Sequence, residues 1–80
     1  MRRRISNVID GDTFVVGTKV NGSNYIRIAG RDSPEKGEPG YATAKRELER
    51  LKGKTVTLQP VAGSYGRTVA KVRHNRKLIR

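Results

Sequence analysis

The sequence predicts a mainly β fold in which a single α-helix separates three strands from two more. Up to residue 30, β-branched residues form short runs that are divided by turn residues. From Tyr41 the apolar residues instead recur every three or four positions, as they do on one face of a helix. Short alternating runs return after Gly53. With 80 residues the chain is long enough for one small domain, which we assign to residues 1–80.

Two different turns divide the first three predicted strands. Asp10-Gly11-Asp12-Thr13 ends the first strand, because glycine allows a tight turn and Asp and Thr side chains bond to nearby backbone. Asn21-Gly22 predicts a type I′ hairpin between the second and third strands, since both residues tolerate a positive φ. We therefore expect strands at residues 3–9, 14–20 and 24–29.

The predicted helix begins at Tyr41 and ends near Gly53. Its expected apolar face consists of Tyr41, Ala44, Leu48 and Leu51. Lys52 in the last turn and Gly53 just beyond it are typical of a helix C-terminus. Residues 36–40, rich in glycine and proline, predict a loop before the helix.

Two strands are predicted after the helix, at residues 54–59 and 68–73, with Val56 and Leu58 on one face of the first. Residues 60–64 are expected to form a loop, and Leu78-Ile79 either a last short pairing or a frayed end. A helix between the third and fourth of five strands is typical of the oligonucleotide-binding (OB) barrel. The predicted fold is therefore a five-stranded OB-fold barrel.

The charge of the chain predicts a polyanionic partner. Eighteen Lys and Arg against seven Asp and Glu give a formal net charge of +11, which favours nucleic acid. No apolar run is long enough for a membrane span, and no basic amphipathic helix predicts a membrane partner. The chain lacks cysteine, so neither a disulfide nor a thiolate metal site is expected. The arginines after Met1 are not followed by the apolar stretch of a signal peptide. The sequence does not indicate in which cellular compartment the protein acts.

The stretch from Arg27 to Glu35 concentrates the polar chemistry of the chain. Pro34 fixes its own φ and restricts Ser33, so Asp32 and Glu35 are expected on a stiff bend at a strand end. Rigid oxygen ligands of this kind suit a hard cation such as calcium. A plain turn would also account for Asp-Ser-Pro. Two more carboxylates, Asp10 and Asp12, lie in a second turn. Four carboxylates in two turns of a strongly basic chain favour a metal site within a phosphate-binding surface.

Three blocks of this sequence closely resemble, in the same order, the signatures of the staphylococcal nuclease (thermonuclease) family. They are Val8-Ile9-Asp10-Gly11-Asp12-Thr13, Arg27-Ile28-Ala29-Gly30-Arg31-Asp32-Ser33-Pro34-Glu35 and Tyr65-Gly66-Arg67-Thr68-Val69-Ala70. The resemblance covers roughly residues 5–73. It implies a calcium-dependent phosphodiesterase that acts on DNA and RNA from an OB barrel.

The resemblance also implies which residues bind the metal. By this resemblance, Asp12 and Asp32 are calcium ligands, and the Ser33 backbone carbonyl is the remaining ligand that the protein provides. Asp10 is implied as the neighbour that supports Asp12. Ca2+ is the only cofactor that the resemblance implies.

Three residues are implied in the catalytic step. Glu35 is expected to activate or orient the attacking water, while Arg27 and Arg67 hold the scissile phosphate. Forked guanidinium donors and a divalent cation neutralise the charge that gathers on phosphoryl oxygens, which agrees with these roles. Tyr65, Arg31 and Lys36 are predicted to add contacts to DNA or RNA, single strands being favoured. No obligate protein partner is evident.

The sequence departs from the family pattern in three places. Gly63-Ser64 stands where family members often have an aspartate before Tyr-Gly-Arg, and the loop after Glu35 is short compared with that of the secreted bacterial members. The chain stops at Arg80, whereas members usually continue into one or two further helices. The resemblance therefore implies a domain that is trimmed at its C-terminus.

Two other functions compete with the nuclease. One is a non-catalytic OB module that binds single-stranded nucleic acid through charge and aromatic platforms. The other is a protein-interaction scaffold, a role that degenerate members of the family serve after losing the acidic residues. The intact carboxylates favour the enzyme, because carboxylates facing a phosphate backbone weaken binding unless a metal neutralises them.

Overall fold

The computed structural model describes the backbone of residues 1–80 and every side chain except that of Ser64. Over these residues the fold is mainly β, with one helix between the third and fourth strands. The elements in chain order are β1 (Arg2–Val8), β2 (Thr13–Val20), β3 (Ser23–Ile28), α1 (Tyr41–Glu49), β4 (Thr55–Ser64), β5 (Arg67–His74) and β6 (Lys77–Ile79). No helix in the described chain is long and apolar enough to cross a membrane.

Strands β1 to β5 close into a barrel, as the sequence predicts. Antiparallel pairs join β3 to β2, β2 to β1, β1 to β4 and β4 to β5. A parallel pairing of β3 with β5, from Ile26 opposite Thr68 to Ile28 opposite Ala70, closes the ring. The architecture is thus an OB-fold-like barrel, and β6 extends it by pairing with the end of β5.

The core of the barrel is built from alternate strand residues. Phe14 is fully buried. Val56 and Leu58 share one face of β4, as the sequence predicts, and both are buried. On the helix, Ala44 and Leu48 are buried, so α1 covers the barrel with the predicted apolar face. Leu51 packs against the same core from the turn beyond the helix, because α1 ends at Glu49 and not near Gly53.

The expected loop at residues 60–64 is wrong. Strand β4 runs on to Ser64 and pairs with β5 as far as Ser64 opposite Arg67. The pairing shifts its register between Pro60 and Ala62, and a bulge is a place where a strand accommodates proline. The result is a longer β4–β5 arm, which turns at Tyr65-Gly66 with positive φ values of 49° and 76°.

The β2–β3 and β5–β6 hairpins also turn through residues with positive φ. Asn21 and Gly22 have φ values of 48° and 85°, in agreement with the predicted hairpin turn. Asn75 and Arg76, with φ of 51° and 67°, connect β5 to β6. Residues 77–79 therefore form a last short pairing with β5 and not a frayed end.

Candidate functional site

An open cleft lies where the β1–β2 turn, the end of β3, the loop after it and the start of β5 meet. Its volume is about 640 Å³. The lining residues are Asp10, Asp12, Arg27, Asp32, Ser33, Pro34, Glu35, Glu38 and Arg67. All residues that the sequence assigns to metal binding or catalysis are thus brought together in this lining. We call the cavity with its nine lining residues the cleft.

The β1–β2 turn holds its two aspartates by local hydrogen bonds. The Asp12 N–H donates to Asp10 Oδ1 at 3.1 Å, which fixes the turn around Gly11. The Ile28 N–H donates to the Asp12 carbonyl at 2.8 Å and ties the turn to the end of β3. Arg27 lies directly opposite Thr13 in the β2–β3 pairing. The turn and the arginine therefore have a fixed relation to each other.

Gly11 lets this turn approach two other parts of the chain closely. A Cβ atom at Gly11 would lie 2.7 Å from Ala44 Cβ and 2.8 Å from Ser33 Cβ. These distances are shorter than side-chain carbons tolerate, so a larger residue forces the turn, α1 or the Ser33 loop to move. Glycine at position 11 therefore keeps the two acidic segments of the cleft side by side.

Arg31 clamps the same turn to the helix. Its Nε donates a short hydrogen bond to the Gly11 carbonyl, and its Nη2 donates to the Ala44 carbonyl at 3.2 Å. Glu47 on α1 lies 4.0 Å from the guanidinium, and the Arg31 side chain is only 15% exposed. The structure thus places Arg31 beside the cleft in a supporting position. Its contact with nucleic acid stays a prediction.

A chain of polar contacts connects the two arginines of the cleft. Arg67 Nη1 donates to Thr13 Oγ1 at 3.2 Å, and the Thr13 hydroxyl donates to Asp12 Oδ1 at 3.0 Å. Asp12 Oδ2 lies 3.6 Å from Arg27 Nη2. Residues from β2, β3 and β5 therefore orient one another across the cleft.

Thr13 is a site residue for which the sequence predicts only a turn-stabilising role. It is 2% exposed, at the start of β2, and it bonds to both Arg67 and Asp12. The sequence signal for its burial was its position directly before the apolar Phe14, at the start of a strand. The partner Arg67 is 54 positions away, so the pairing itself becomes visible only in the folded chain.

Glu35 is held by a tight turn that also brings in Glu38. The Glu35 N–H donates to Glu38 Oε1 at 2.6 Å, and the Glu38 N–H donates to the Glu35 carbonyl at 2.9 Å. The sequence places Glu38 near the helix and gives it no role, although it lines the cleft. The spacing of three residues from Glu35 is the signal that points to it.

The two remaining predicted nucleic-acid contacts lie outside the lining of the cleft. Lys36 is exposed on the turn that follows Glu35. Tyr65 is 96% exposed at the tip of the β4–β5 arm, two positions before Arg67. Both side chains are exposed to solvent and are close in sequence to cleft residues. Their contacts with nucleic acid stay predictions.

The cleft is negatively charged within a strongly basic molecule. Five of the seven carboxylates of the chain line it, against the two guanidinium groups of Arg27 and Arg67, which leaves a formal charge of −3. With a total of +11, the rest of the chain carries +14. An anionic ligand therefore meets a repulsive cleft unless a cation is also bound.

The surroundings of Asp12 disfavour its ionised form. Burial raises the pKa of the Asp12 carboxyl above its usual value, and the hydrogen bond and charge of Asp10 raise it further. The hydrogen bond from Thr13 and the charge of Arg27 lower the pKa, but the net direction is upward. A bound cation would favour the ionised form of this carboxylate.

The donor atoms of the cleft fit a hard divalent cation. Asp12 and Asp32 contribute carboxylate oxygens, and Ser33 lies in the same lining with a backbone carbonyl. Calcium takes six to eight oxygen ligands, a set that includes carbonyls and water. Within the described side chains, no three His, Cys, Asp or Glu residues are grouped closely enough to hold a metal alone. A calcium site here therefore requires carbonyl and water ligands in addition to carboxylates.

Comparison of the chain with protein-family models finds no match, and comparison with curated proteins finds none either.

Proposed function

We propose that this protein is a calcium-dependent nuclease that hydrolyses phosphodiester bonds of DNA or RNA, similar to the thermonuclease-like endonucleases. One observation carries the proposal. The five side chains that such chemistry needs, Asp12, Arg27, Asp32, Glu35 and Arg67, line one cleft although they come from different elements. The sequence resemblance described above supports the same reading of these residues.

In this proposal Arg27 and Arg67 bind the scissile phosphate from two strands. Their planar guanidinium groups offer paired donors to phosphoryl oxygens. Thr13 and Asp12 fix the separation of the two arginines through the contacts at 3.2, 3.0 and 3.6 Å. Fixed donors that match the charge of the transition state lower the barrier to hydrolysis.

Glu35 acts as the general base. Its carboxylate accepts a proton from a water molecule whose oxygen forms a bond to phosphorus while one P–O ester bond breaks. The leaving oxygen takes a proton from solvent. The turn with Glu38 limits the motion of Glu35 at the edge of the cleft.

Asp12, Asp32 and the Ser33 carbonyl would hold the calcium ion in this scheme. A bound divalent cation supplies neutralisation of negative charge on the phosphoryl oxygens. It also offsets the negative excess of the cleft and the cost of burying the Asp12 carboxylate.

A second candidate is an OB module that binds single strands without cleaving them. Two tyrosines favour it, since Tyr65 is 96% exposed and Tyr25 on β3 is 48% exposed, so both are open to stacked bases. The five carboxylates of the cleft count against it, because they repel a phosphate backbone when no metal is present.

Cleavage of a labelled single-stranded DNA in calcium separates the two candidates. We expect cleavage by the wild type and at least about a hundredfold slower cleavage by Glu35→Gln, in line with the usual worth of a general base. Glu49→Gln is the matched control, because Glu49 is an exposed carboxylate on α1 outside the cleft. Equal rates for Glu35→Gln and the control would remove Glu35 from the reaction. Strand binding with no cleavage by any form would favour the second candidate.

A further inference from the structure

A second charged surface lies on the outside of the barrel, on strands β1, β4 and β5. Arg2 and Arg4 on β1 and Lys71 and Arg73 on β5 are exposed. Between these two pairs run exposed polar residues of β4: Thr55, Thr57 and Gln59. We call these seven residues the β1–β4–β5 face. None of them lines the cleft.

The strand register makes this face continuous. Arg2 lies opposite Thr57, and Thr57 lies opposite Arg73, so one row of outward residues crosses three strands. Arg4 opposite Thr55 and Lys71 opposite Gln59 extend the face along the strands. Neighbouring strands lie about 4.8 Å apart, so the two pairs of cations are about 10 Å apart across β4. Within each pair, residues two positions apart are separated by about 7 Å.

No ion pair among the described side chains neutralises the four cations of this face. The described ion pairs join Arg27 to Asp12 and Arg31 to Glu47, and neither involves the face. Of the seven acidic residues, five line the cleft and the other two, Glu47 and Glu49, lie on α1. The charge of the face is therefore free to act on a ligand.

The charge distribution indicates what that ligand is. The cleft alone carries −3, so a polyanion cannot gain its electrostatic affinity there before a cation binds. Phosphate contacts by Lys and Arg provide most of the sequence-independent affinity for nucleic acid, and Thr and Gln side chains add hydrogen bonds to phosphate. The β1–β4–β5 face offers both kinds of group.

The lack of aromatic residues on the face favours a double helix over a single strand. Unpaired bases bind by stacking on aromatic side chains. Phe14 is in the core, and the tyrosines lie on β3, on α1 and in the β4–β5 turn. We propose that the β1–β4–β5 face binds the sugar–phosphate backbone of double-helical nucleic acid, without metal and independently of hydrolysis at the cleft.

Binding of a 20-base-pair duplex DNA in the presence of a chelator tests this proposal. The face variant is Arg2→Gln, Arg4→Gln, Lys71→Gln and Arg73→Gln. The matched control removes the same charge from the helix region by Lys45→Gln, Arg46→Gln, Arg50→Gln and Lys52→Gln. Fluorescence anisotropy over a range of salt concentrations gives both the affinity and its salt dependence.

We expect the face variant to bind the duplex at least about tenfold more weakly, with a salt slope lower by about three to four, since each phosphate contact contributes about 0.9. The control variant should stay within about threefold of the wild type. Equal losses in both variants would mean that only net charge matters, and unchanged binding by the face variant would exclude the face. An equal loss for a single strand of the same length would contradict the assignment to a double helix.

Two half variants guard against misfolding of the quadruple variant. Arg2→Gln with Arg4→Gln, and Lys71→Gln with Arg73→Gln, should each lower the salt slope by about two. Half variants that keep the wild-type slope would overturn the proposal. Because the assay uses a chelator and measures binding only, failure of the nuclease proposal leaves its result unchanged.

Discussion

Thr13 connects the stability of the barrel to the chemistry of the cleft at the scale of one hydroxyl group. It donates to Asp12 and accepts from Arg67 while being almost fully buried. Thr13→Val keeps the shape of the side chain and removes both contacts. We expect it to lower stability by about 1–3 kcal/mol, because buried polar partners lose a hydrogen bond. Cleavage should slow by about tenfold or more, because Arg67 loses the contact that orients it.

Thr68 offers a matched control for this substitution. It is equally buried, at 2% exposure, and its hydroxyl donates to the Val20 carbonyl at 2.7 Å. Thr68→Val should therefore cost a similar amount of stability, measured by urea unfolding, without a comparable loss of cleavage rate. Equal losses of cleavage rate in both variants would show that Thr13 acts only through stability.

Asp12 makes the metal-free protein sensitive to pH. Because its pKa is raised, the folded chain binds the Asp12 proton more tightly than the unfolded chain. This group therefore stabilises the fold at low pH, and that stabilisation is lost as the pH rises through the raised pKa. Asp12→Asn removes the buried negative charge, so in a chelator it should be more stable than the wild type at pH 7.

Urea unfolding of both proteins in chelator measures this difference. The gain from Asp12→Asn should shrink as the pH falls through the raised pKa and disappear well below about pH 4, the usual pKa of an aspartate, because the carboxyl is then protonated in both states. Addition of calcium at pH 7 should stabilise the wild type by mass action and leave the variant unchanged. A variant that is less stable than the wild type at pH 7 in chelator would mean that the ion pair with Arg27 outweighs the cost of burial.

The β1–β2 turn acts at the scale of whole elements, because it holds α1 and the Ser33 loop against the barrel. Gly11→Ala would place a methyl group 2.7 Å from Ala44 Cβ. We expect a loss of about 1–3 kcal/mol in the free energy of unfolding, typical of overpacking, together with weaker calcium binding. Calorimetric unfolding with and without calcium measures both effects.

Gly17 on β2 is the control for this glycine. A Cβ atom there would meet nothing within 4 Å, so Gly17→Ala should be neutral or slightly stabilising. If Gly11→Ala were as well tolerated as Gly17→Ala, the close contact between the turn and the helix would not limit the fold.

The elements show where sequence reasoning succeeds and where it stops. Periodicity predicts the five barrel strands and the helix because each element has a local apolar pattern, as with Val56 and Leu58. The continuation of β4 through residues 60–64 is missed, because Pro60 and Gly63 resemble loop residues by composition. Only the pairing with β5, with its register shift after Pro60, allows the strand to continue.

The cleft was predictable to the same degree. Its acidic and basic residues lie at or near strand ends in recognisable blocks, so their convergence could be expected from the barrel. The contacts of Arg31 with Gly11 and Ala44, and of Thr13 with Arg67, join residues 13 to 54 positions apart. No local pattern encodes such pairs, since they arise from the way the strands and the helix pack.

Across the whole molecule, opposite charges are separated into two regions. The cleft carries −3 and the remainder of the chain +14. In the proposed function, the basic remainder of the chain attracts nucleic acid over a distance that shortens as the salt concentration rises, and the acidic cleft binds a cation. The proposed nuclease therefore combines salt-sensitive attraction of its substrate with a calcium-dependent chemical step.

The initial rate of cleavage of a labelled single-stranded DNA, measured against calcium concentration, tests the central claim most directly. The proposed site predicts no cleavage in chelator and a rate that rises with calcium to a plateau. Cleavage that is unaffected by a chelator, or strand binding without cleavage at any calcium concentration, would contradict the claim that this cleft is a calcium-dependent active site.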